Sequence, residues 1–174
     1  MRTLLLAFAL MVSMTCRASA ADSPEATTYQ IRNVKHQELL RPRDANSADG
    51  TAIVLYPAQP WKCMTWRLQP IAGPAFRLKN LFTSKTFSAS ADTNAPQRLV
   101  TQVPVTPDAA GLCSWQFVKL ADGHYKIIEA RSGQALTAVK TDGEYEVQTV
   151  VVPWQNQDEQ KWILEKIDPK DLTM

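Results

Sequence analysis

The chain of 174 residues contains few side chains whose type and spacing suit catalysis. It has two histidines, His36 and His124. Neither lies in a nucleophile-elbow, zinc-protease or cysteine–histidine context. No glycine-rich phosphate loop is present, and no cysteine–histidine pair has the spacing of metal ligands. The acidic residues are scattered through turns, where aspartate is a common turn former. The sequence therefore predicts a protein that is not an enzyme and that holds no metal and no cofactor.

Residues 1–20 have the features of a secretory signal peptide. Arg2 supplies a positive start, and residues 4–12 form an apolar run that is too short to span a membrane. Ala-Ser-Ala then matches the small-residue rule for cleavage. A lipoprotein signal through Cys16 is the alternative, although Ser13 stands where an aliphatic residue is expected. We expect a secreted or periplasmic protein with no membrane insertion.

The charge balance gives no support for a nucleic-acid partner. The formal net charge is +2, and two of the positive charges, Arg2 and Arg17, belong to the leader. Without the leader the formal charge is about 0. Attraction to nucleic acid or to anionic lipid requires clustered positive charge. The sequence therefore predicts neither partner.

Two cysteines remain beyond the leader, Cys63 and Cys113. In an oxidising compartment they predict a disulfide, which on the chain-entropy model would contribute about 4 kcal/mol. Cys63 lies three residues before a tryptophan and Cys113 two residues before another, so the two side chains need not face each other. The alternative is a pair of buried thiols that act as small apolar residues.

The chain repeats itself with a period near 48 residues. Three tryptophans recur at intervals of 49 and 47 residues, namely Trp66, Trp115 and Trp162. Aromatic residues open strand-like runs at intervals of 47 and 49 residues, namely Tyr29, Phe76 and Tyr125. A regular recurrence of this length is typical of a fold built from internal repeats. We expect the three tryptophans to be structural residues of the core.

Each repeat predicts four short strands. The runs are rich in β-branched and aromatic residues, and turn-forming clusters separate them. Three units are too few to close a propeller. We therefore predict an all-β protein, a β-trefoil, in which twelve strands close into one barrel with threefold pseudo-symmetry. The predicted divisions are a flexible segment at 21–28, repeats at about 29–71, 76–120 and 124–168, and a tail at 169–174.

The last repeat carries the motif Gln160-Lys161-Trp162, and repeat three contains the stretch "SGQALTAV". Repeat one contains "DANSADGTAIVLY" with a glycine at the turn. In these features the chain resembles the ricin B-type lectin domain family, a β-trefoil whose repeats each end in Gln-x-Trp. The likeness runs from about residue 29 to 167. Met64 and Cys113 replace the glutamine in the other repeats.

The resemblance implies carbohydrate binding and places the parts of each sugar site. It implies an aspartate after the second-strand leucine, which falls on Arg41, Ser88 and Thr137, none of them a carboxylate. It also implies an aromatic platform at the end of the third strand. That position is assigned to Tyr56 in repeat one and Trp154 in repeat three, while repeat two offers no aromatic residue.

Two degenerate sugar sites are therefore expected. In repeat one, Asp44 would replace the missing carboxylate beside Tyr56. Repeat three keeps the most parts and predicts a neutral site, formed by Trp154, Asn156, Thr137 and Gln160. For Tyr56 and Trp154 the alternative is a partly buried ring that closes the barrel edge.

We expect the partner to be a glycan or a glycoprotein. The alternative function is a non-enzymatic protein-interaction domain, such as the accessory subunit of a toxin or a trefoil-type inhibitor, with a protein partner in a larger assembly. The irregular stretch at residues 104–111 is the candidate contact loop for this role, and the alternative for that stretch is a plain connector between strands.

Overall fold

The computed structural model describes residues 27–92, 95–106, 111–142 and 147–173. The predicted signal peptide and residues 107–110 of the predicted contact loop lie outside these ranges. Within them, twelve strands are formed: β1 (Thr28–Asn33), β2 (Leu39–Pro42), β3 (Ile53–Tyr56), β4 (Thr65–Pro70), β5 (Ala75–Asn80), β6 (Thr86–Ala89), β7 (Arg98–Val103), β8 (Trp115–Lys119), β9 (Tyr125–Glu129), β10 (Ala135–Lys140), β11 (Val147–Val152) and β12 (Lys161–Lys166). Four 3-10 turns accompany them, at Arg43–Ala45, Lys62–Met64, Asp158–Gln160 and Pro169–Asp171. None of the helical segments in the described ranges could cross a membrane.

The first and fourth strands of the three repeats form a closed barrel. Antiparallel pairing runs from β1 to β4, β5, β8, β9 and β12, and back to β1. The second and third strands of each repeat form hairpins, namely β2–β3, β6–β7 and β10–β11. Strand β11 pairs with both β3 and β7, which joins the hairpins to one another.

This topology confirms the predicted β-trefoil. The prediction that all twelve strands close one barrel is wrong. Six strands form the barrel and six form hairpins, because the middle strands of each repeat pair mainly with each other. The sequence could not distinguish these pairings, since strand periodicity is the same in both.

The three repeat tryptophans join the barrel to the hairpins. All three are completely buried. In each repeat the indole N–H donates a hydrogen bond to a carbonyl in the second strand: Trp66 to Leu40 (2.9 Å), Trp115 to Phe87 (3.3 Å) and Trp162 to Leu136 (3.0 Å). A buried indole N–H normally finds such a partner. The tryptophan spacing therefore follows from a contact that each repeat makes once.

A polar residue at the end of each repeat's first strand is also buried. In repeats one and two it is an asparagine, Asn33 or Asn80. The Asn33 carboxamide donates to Glu159 O at 3.0 Å, and the Asn80 carboxamide donates to Cys63 O at 2.8 Å. Their side-chain oxygens accept two backbone N–H groups of the following turn. Repeat three has Glu129 in this place.

Both cysteines are free and buried, so the predicted disulfide is wrong. Cys63 packs with Leu39 and Met64 in a small cluster of repeat one. Cys113 lies in the turn before β8 of repeat two. Burial raises the pKa of both thiols, and the nearby guanidinium groups only partly oppose this. The two cysteines occupy non-equivalent positions in different repeats, and each thiol is buried in its own surroundings, so the pair does not meet.

Two residues that the sequence places outside the trefoil, Thr28 and Thr173, are bonded to it. Thr28, placed in the flexible segment by sequence, begins β1 and is buried. In the predicted tail, the Thr173 N–H donates to Pro60 O at 2.7 Å, and the Lys62 N–H donates to Thr173 O at 3.2 Å. The tail therefore holds the loop around Trp61, with which Thr173 forms a bridge.

Candidate functional site

The hairpin register determines which residues of the repeats correspond. Tyr56 pairs with Leu39, the residue before the carbonyl that accepts from Trp66. In repeat three the residue before the corresponding carbonyl is Ala135, and it pairs with Val152. Val152 is thus the counterpart of Tyr56. The assignment of Trp154 to that position is wrong by two residues, because sequence cannot show where the third strand ends.

Two of the four residues predicted for the repeat-three site are buried. Gln160 donates from its amide to Thr137 Oγ1 at 3.2 Å and to Pro153 O at 2.9 Å. Its amide oxygen accepts the Gln155 N–H at 2.6 Å. The Thr137 hydroxyl donates in turn to Ala135 O at 3.0 Å. Both side chains therefore use their polar atoms inside the protein, where they fix the loop after β11.

The other two residues of that site lie nearer the surface. Trp154 is half-buried, and Lys126 Nζ lies 5.4 Å from its ring centroid, a cation–π distance. Asn156 is exposed. Of the four predicted residues, two are therefore buried and bonded within the protein, and two lie nearer the surface.

Repeat one has an open cavity of about 250 Å³ beside its hairpin. Its lining is both charged and aromatic, and consists of Arg41, Asp44, Ala45, Trp61, Cys63 and Phe82. Asp44 was predicted for this site from the sequence, but neither Trp61 nor Phe82 was. Trp61 lies five residues beyond the end of β3, and Phe82 belongs to repeat two. The one sequence signal for this cavity was Trp61 itself, a second tryptophan in the short loop before Trp66.

The rings of this region lie close to one another. The Trp61 ring stacks on Tyr56 with centroids 6.1 Å apart and an angle of 28° between the planes. Phe82 is half exposed, and its N–H is held by the Asn80 side-chain oxygen at 3.1 Å. Tyr56 itself does not line the cavity. Trp61 and Phe82 therefore supply the apolar walls. Tyr56, the residue predicted to stack on the sugar, instead packs behind Trp61.

Arg41 is the buried charged residue of the cavity, with 8% of its surface exposed. Its Cζ lies 3.7 Å from the centroid of the Tyr56 ring, so the guanidinium stacks on that ring. Nη2 lies 3.9 Å from the Asp44 carboxylate, which is largely exposed. Nε has no hydrogen-bond partner among the described residues. A buried donor left unpaired costs about 1–3 kcal/mol.

The cavity suits binding more than covalent chemistry. Burial raises the pKa of its thiol, Cys63, and Arg41 opposes that rise only in part. The thiol is therefore protonated at neutral pH and weakly nucleophilic. Aromatic walls with a few fixed polar groups are typical of a small-molecule binding site.

No protein-family model matches the sequence, and no curated protein matches it either. The structure is similar to several solved structures. ThreeFoil, a designed threefold-symmetric protein, has a TM-score of 0.73 and 20% identity, with 80% of this chain and 99% of that chain covered. The agglutinin of Rhizoctonia solani has a TM-score of 0.72 and 20% identity, with coverage of 83% and 98%. An earthworm lectin C-terminal domain mutant, solved with 6'-sialyllactose, has a TM-score of 0.63 and 16% identity, with coverage of 81% and 99%. At these identities the likeness shows the fold, and the chain is a β-trefoil.

Proposed function

We propose that this protein is a carbohydrate-binding β-trefoil whose sugar site is the repeat-one cavity. The observation that carries the proposal is the pairing of two accessible rings, Trp61 and Phe82, with the polar groups of Arg41 and Asp44 in one open space. An aromatic face packs against the C–H face of a sugar, and fixed polar groups bind its hydroxyls.

Two further observations support carbohydrate as the ligand. The agglutinin and the earthworm lectin share this fold. In addition, Arg41 occupies the position at which the resemblance to ricin B-type lectins places a sugar-binding residue. The cavity is therefore in the expected part of the repeat, although its residue types differ.

The proposal places one working site in repeat one and degenerate sites in the other two repeats. Ser88 and Val103 stand in repeat two where Arg41 and Tyr56 stand in repeat one. Repeat three has Thr137 and Val152 there, and Thr137 is buried. The leader-like residues 1–20 support a role outside the cytoplasm, where glycans are accessible.

The test is binding of the purified protein to a glycan array, followed by titration of each hit. Trp61→Ala and Phe82→Ala should each weaken binding by about tenfold or more, since burying an apolar side chain of this size contributes about 1.5–3 kcal/mol. Trp154→Ala, in repeat three, is the matched control and should leave affinity unchanged. A silent array with folded protein would refute sugar binding. Loss of binding in the Trp154 variant alone would place the site in repeat three.

A further inference from the structure

We propose that the repeat-one cavity selects sugars that carry a carboxylate over their neutral analogues. This inference rests on the proposed function and names the ligand class of the same cavity. It follows from one residue of the cavity lining, the buried arginine Arg41.

The donor set of Arg41 defines what the cavity can accept. A guanidinium has five N–H donors, no acceptor, and a planar fork that matches a carboxylate. Arg41 has Nε unpaired, and its plane is held against the Tyr56 ring at 3.7 Å. The guanidinium is thus positioned before any ligand arrives. A carboxylate forms charge-assisted hydrogen bonds with such a group, which are about twice as strong as those of a neutral hydroxyl.

The protein itself neutralises this charge only weakly. Asp44 is the nearest carboxylate, at 3.9 Å from Nη2, and its side chain is 82% exposed. An ion pair with one exposed partner contributes little because solvent screens it. Cys63, the other polar group of the lining, is a protonated thiol and supplies no negative charge. The buried positive charge therefore favours an anionic ligand.

The aromatic walls separate this ligand from a simple anion. Trp61 and Phe82 line the same cavity as the guanidinium. A sugar ring can pack on one of these walls while its carboxylate meets Arg41. A bare anion would use the charge and leave the rings uncovered.

The test compares two probes that differ only at C6, methyl β-D-glucuronide and methyl β-D-glucoside. A second comparison uses the corresponding galacturonide and galactoside. Each is titrated into the purified protein, and the indole N–H signal of Trp61 is followed by NMR. We expect one uronide to bind about tenfold or more tightly than its neutral partner. Raising the salt concentration should weaken only the uronide.

Two substitutions sharpen the result. Arg41→Gln should abolish the difference between the probes, and Arg41→Lys, which keeps the charge without the fork, should reduce it. Asp44→Asn should preserve or strengthen uronide binding, because it removes a negative charge beside the ligand. The salt dependence of the unchanged protein tests the inference even if Arg41→Gln does not fold.

The outcomes distinguish the carboxylate preference from the proposed carbohydrate binding on which it rests. Equal affinity for the acidic and neutral probes, lost in Trp61→Ala, would overturn the carboxylate preference and leave sugar binding intact. Sodium acetate that binds as tightly as the uronide would also overturn it, because the sugar ring would then contribute nothing. A glycan array with no hit, acidic or neutral, would remove the proposed function itself.

Discussion

Arg98 and Glu129 form an ion pair that is buried at both ends and joins repeat two to repeat three. Arg98 Nη1 lies 3.3 Å from Glu129 Oε1, and Nη2 contacts the second carboxylate oxygen. The Ser132 hydroxyl donates to the same carboxylate. Glu129 occupies the place that Asn33 and Asn80 hold in the other repeats. The third repeat therefore has a charged carboxylate where the first two repeats have an amide.

Arg98→Met should destabilise the protein by about 3–5 kcal/mol, because it leaves the Glu129 carboxylate buried without its main partner. The double variant Arg98→Met/Glu129→Asn should regain part of this, since no buried charge remains. Urea unfolding measures both. Arg131→Met is the control and should cost below about 1 kcal/mol, because Arg131 is partly exposed. If Arg98→Met also cost below about 1 kcal/mol, the ion pair of Arg98 and Glu129 would have no structural role.

The same carboxylate predicts how stability depends on pH. Burial alone would raise the pKa of Glu129, but hydrogen bonds from Arg98 and Ser132 and the charges of Arg98 and Arg131 lower it overall. A folded-state pKa below the unfolded value of about 4.3 gives stability that is present above that pH and lost as the pH falls through the folded value. The free-energy difference between the unchanged protein and Glu129→Gln should therefore be constant near neutrality and shrink below about pH 4. A difference that does not change with pH would show that folding does not lower the pKa of Glu129.

Replacing a repeat tryptophan with phenylalanine should cost about 1–3 kcal/mol in each repeat. The change keeps a ring in the core but leaves the second-strand carbonyl without the indole N–H. Thermal or urea unfolding of Trp66→Phe, Trp115→Phe and Trp162→Phe measures the loss. Trp154→Phe, which lies outside the core, should cost below about 1 kcal/mol. Three costs as small as this control would mean that the indole hydrogen bonds do not hold the hairpins to the barrel.

Gln160→Ala should reduce stability by about 1–3 kcal/mol and leave sugar binding unchanged, because its amide groups bind the protein's own loop. Gln157→Ala is the control, since Gln157 is exposed and should cost below about 0.5 kcal/mol. Unfolding and glycan titration should be measured on the same samples. If the Gln160→Ala variant kept its stability but no longer bound glycan, Gln160 would instead belong to a sugar site.

Cys63 and Cys113 should react with a thiol reagent only after denaturation, because both are buried with a raised pKa. The experiment uses a protein with Cys16→Ser, so that only these two thiols are counted. Its unfolding midpoint should be the same with and without a reductant. A midpoint that falls on reduction would reveal a disulfide between them.

The repeat architecture could be predicted from sequence because one contact, the indole N–H to the second-strand carbonyl, occurs once per repeat and fixes the spacing of Trp66, Trp115 and Trp162. The strand pairing could not be predicted to the residue. Trp154 was placed where Val152 lies, since a shift along the strand leaves the apolar character of the run unchanged.

The candidate site was predicted only in part. Asp44 was identified, but Phe82 comes from the neighbouring repeat and Trp61 from a loop without strand periodicity. Local patterns do not record contacts between segments distant in sequence, and the pair of Arg98 and Glu129 was missed for the same reason. Arg41 was recognised in sequence only as a missing aspartate, and its stacking on Tyr56 appears only once the hairpin is formed.

The contact between Thr173 and the loop of Trp61 affects any attempt to copy the binding cavity. Residues of repeat one line most of it, yet one wall depends on backbone hydrogen bonds from a segment 112 positions further along the chain. A symmetric protein made by triplicating repeat one would reproduce Arg41 and Trp61 three times. It would have one such segment at most to support those walls, so two of its three copies would present a tryptophan loop without that support.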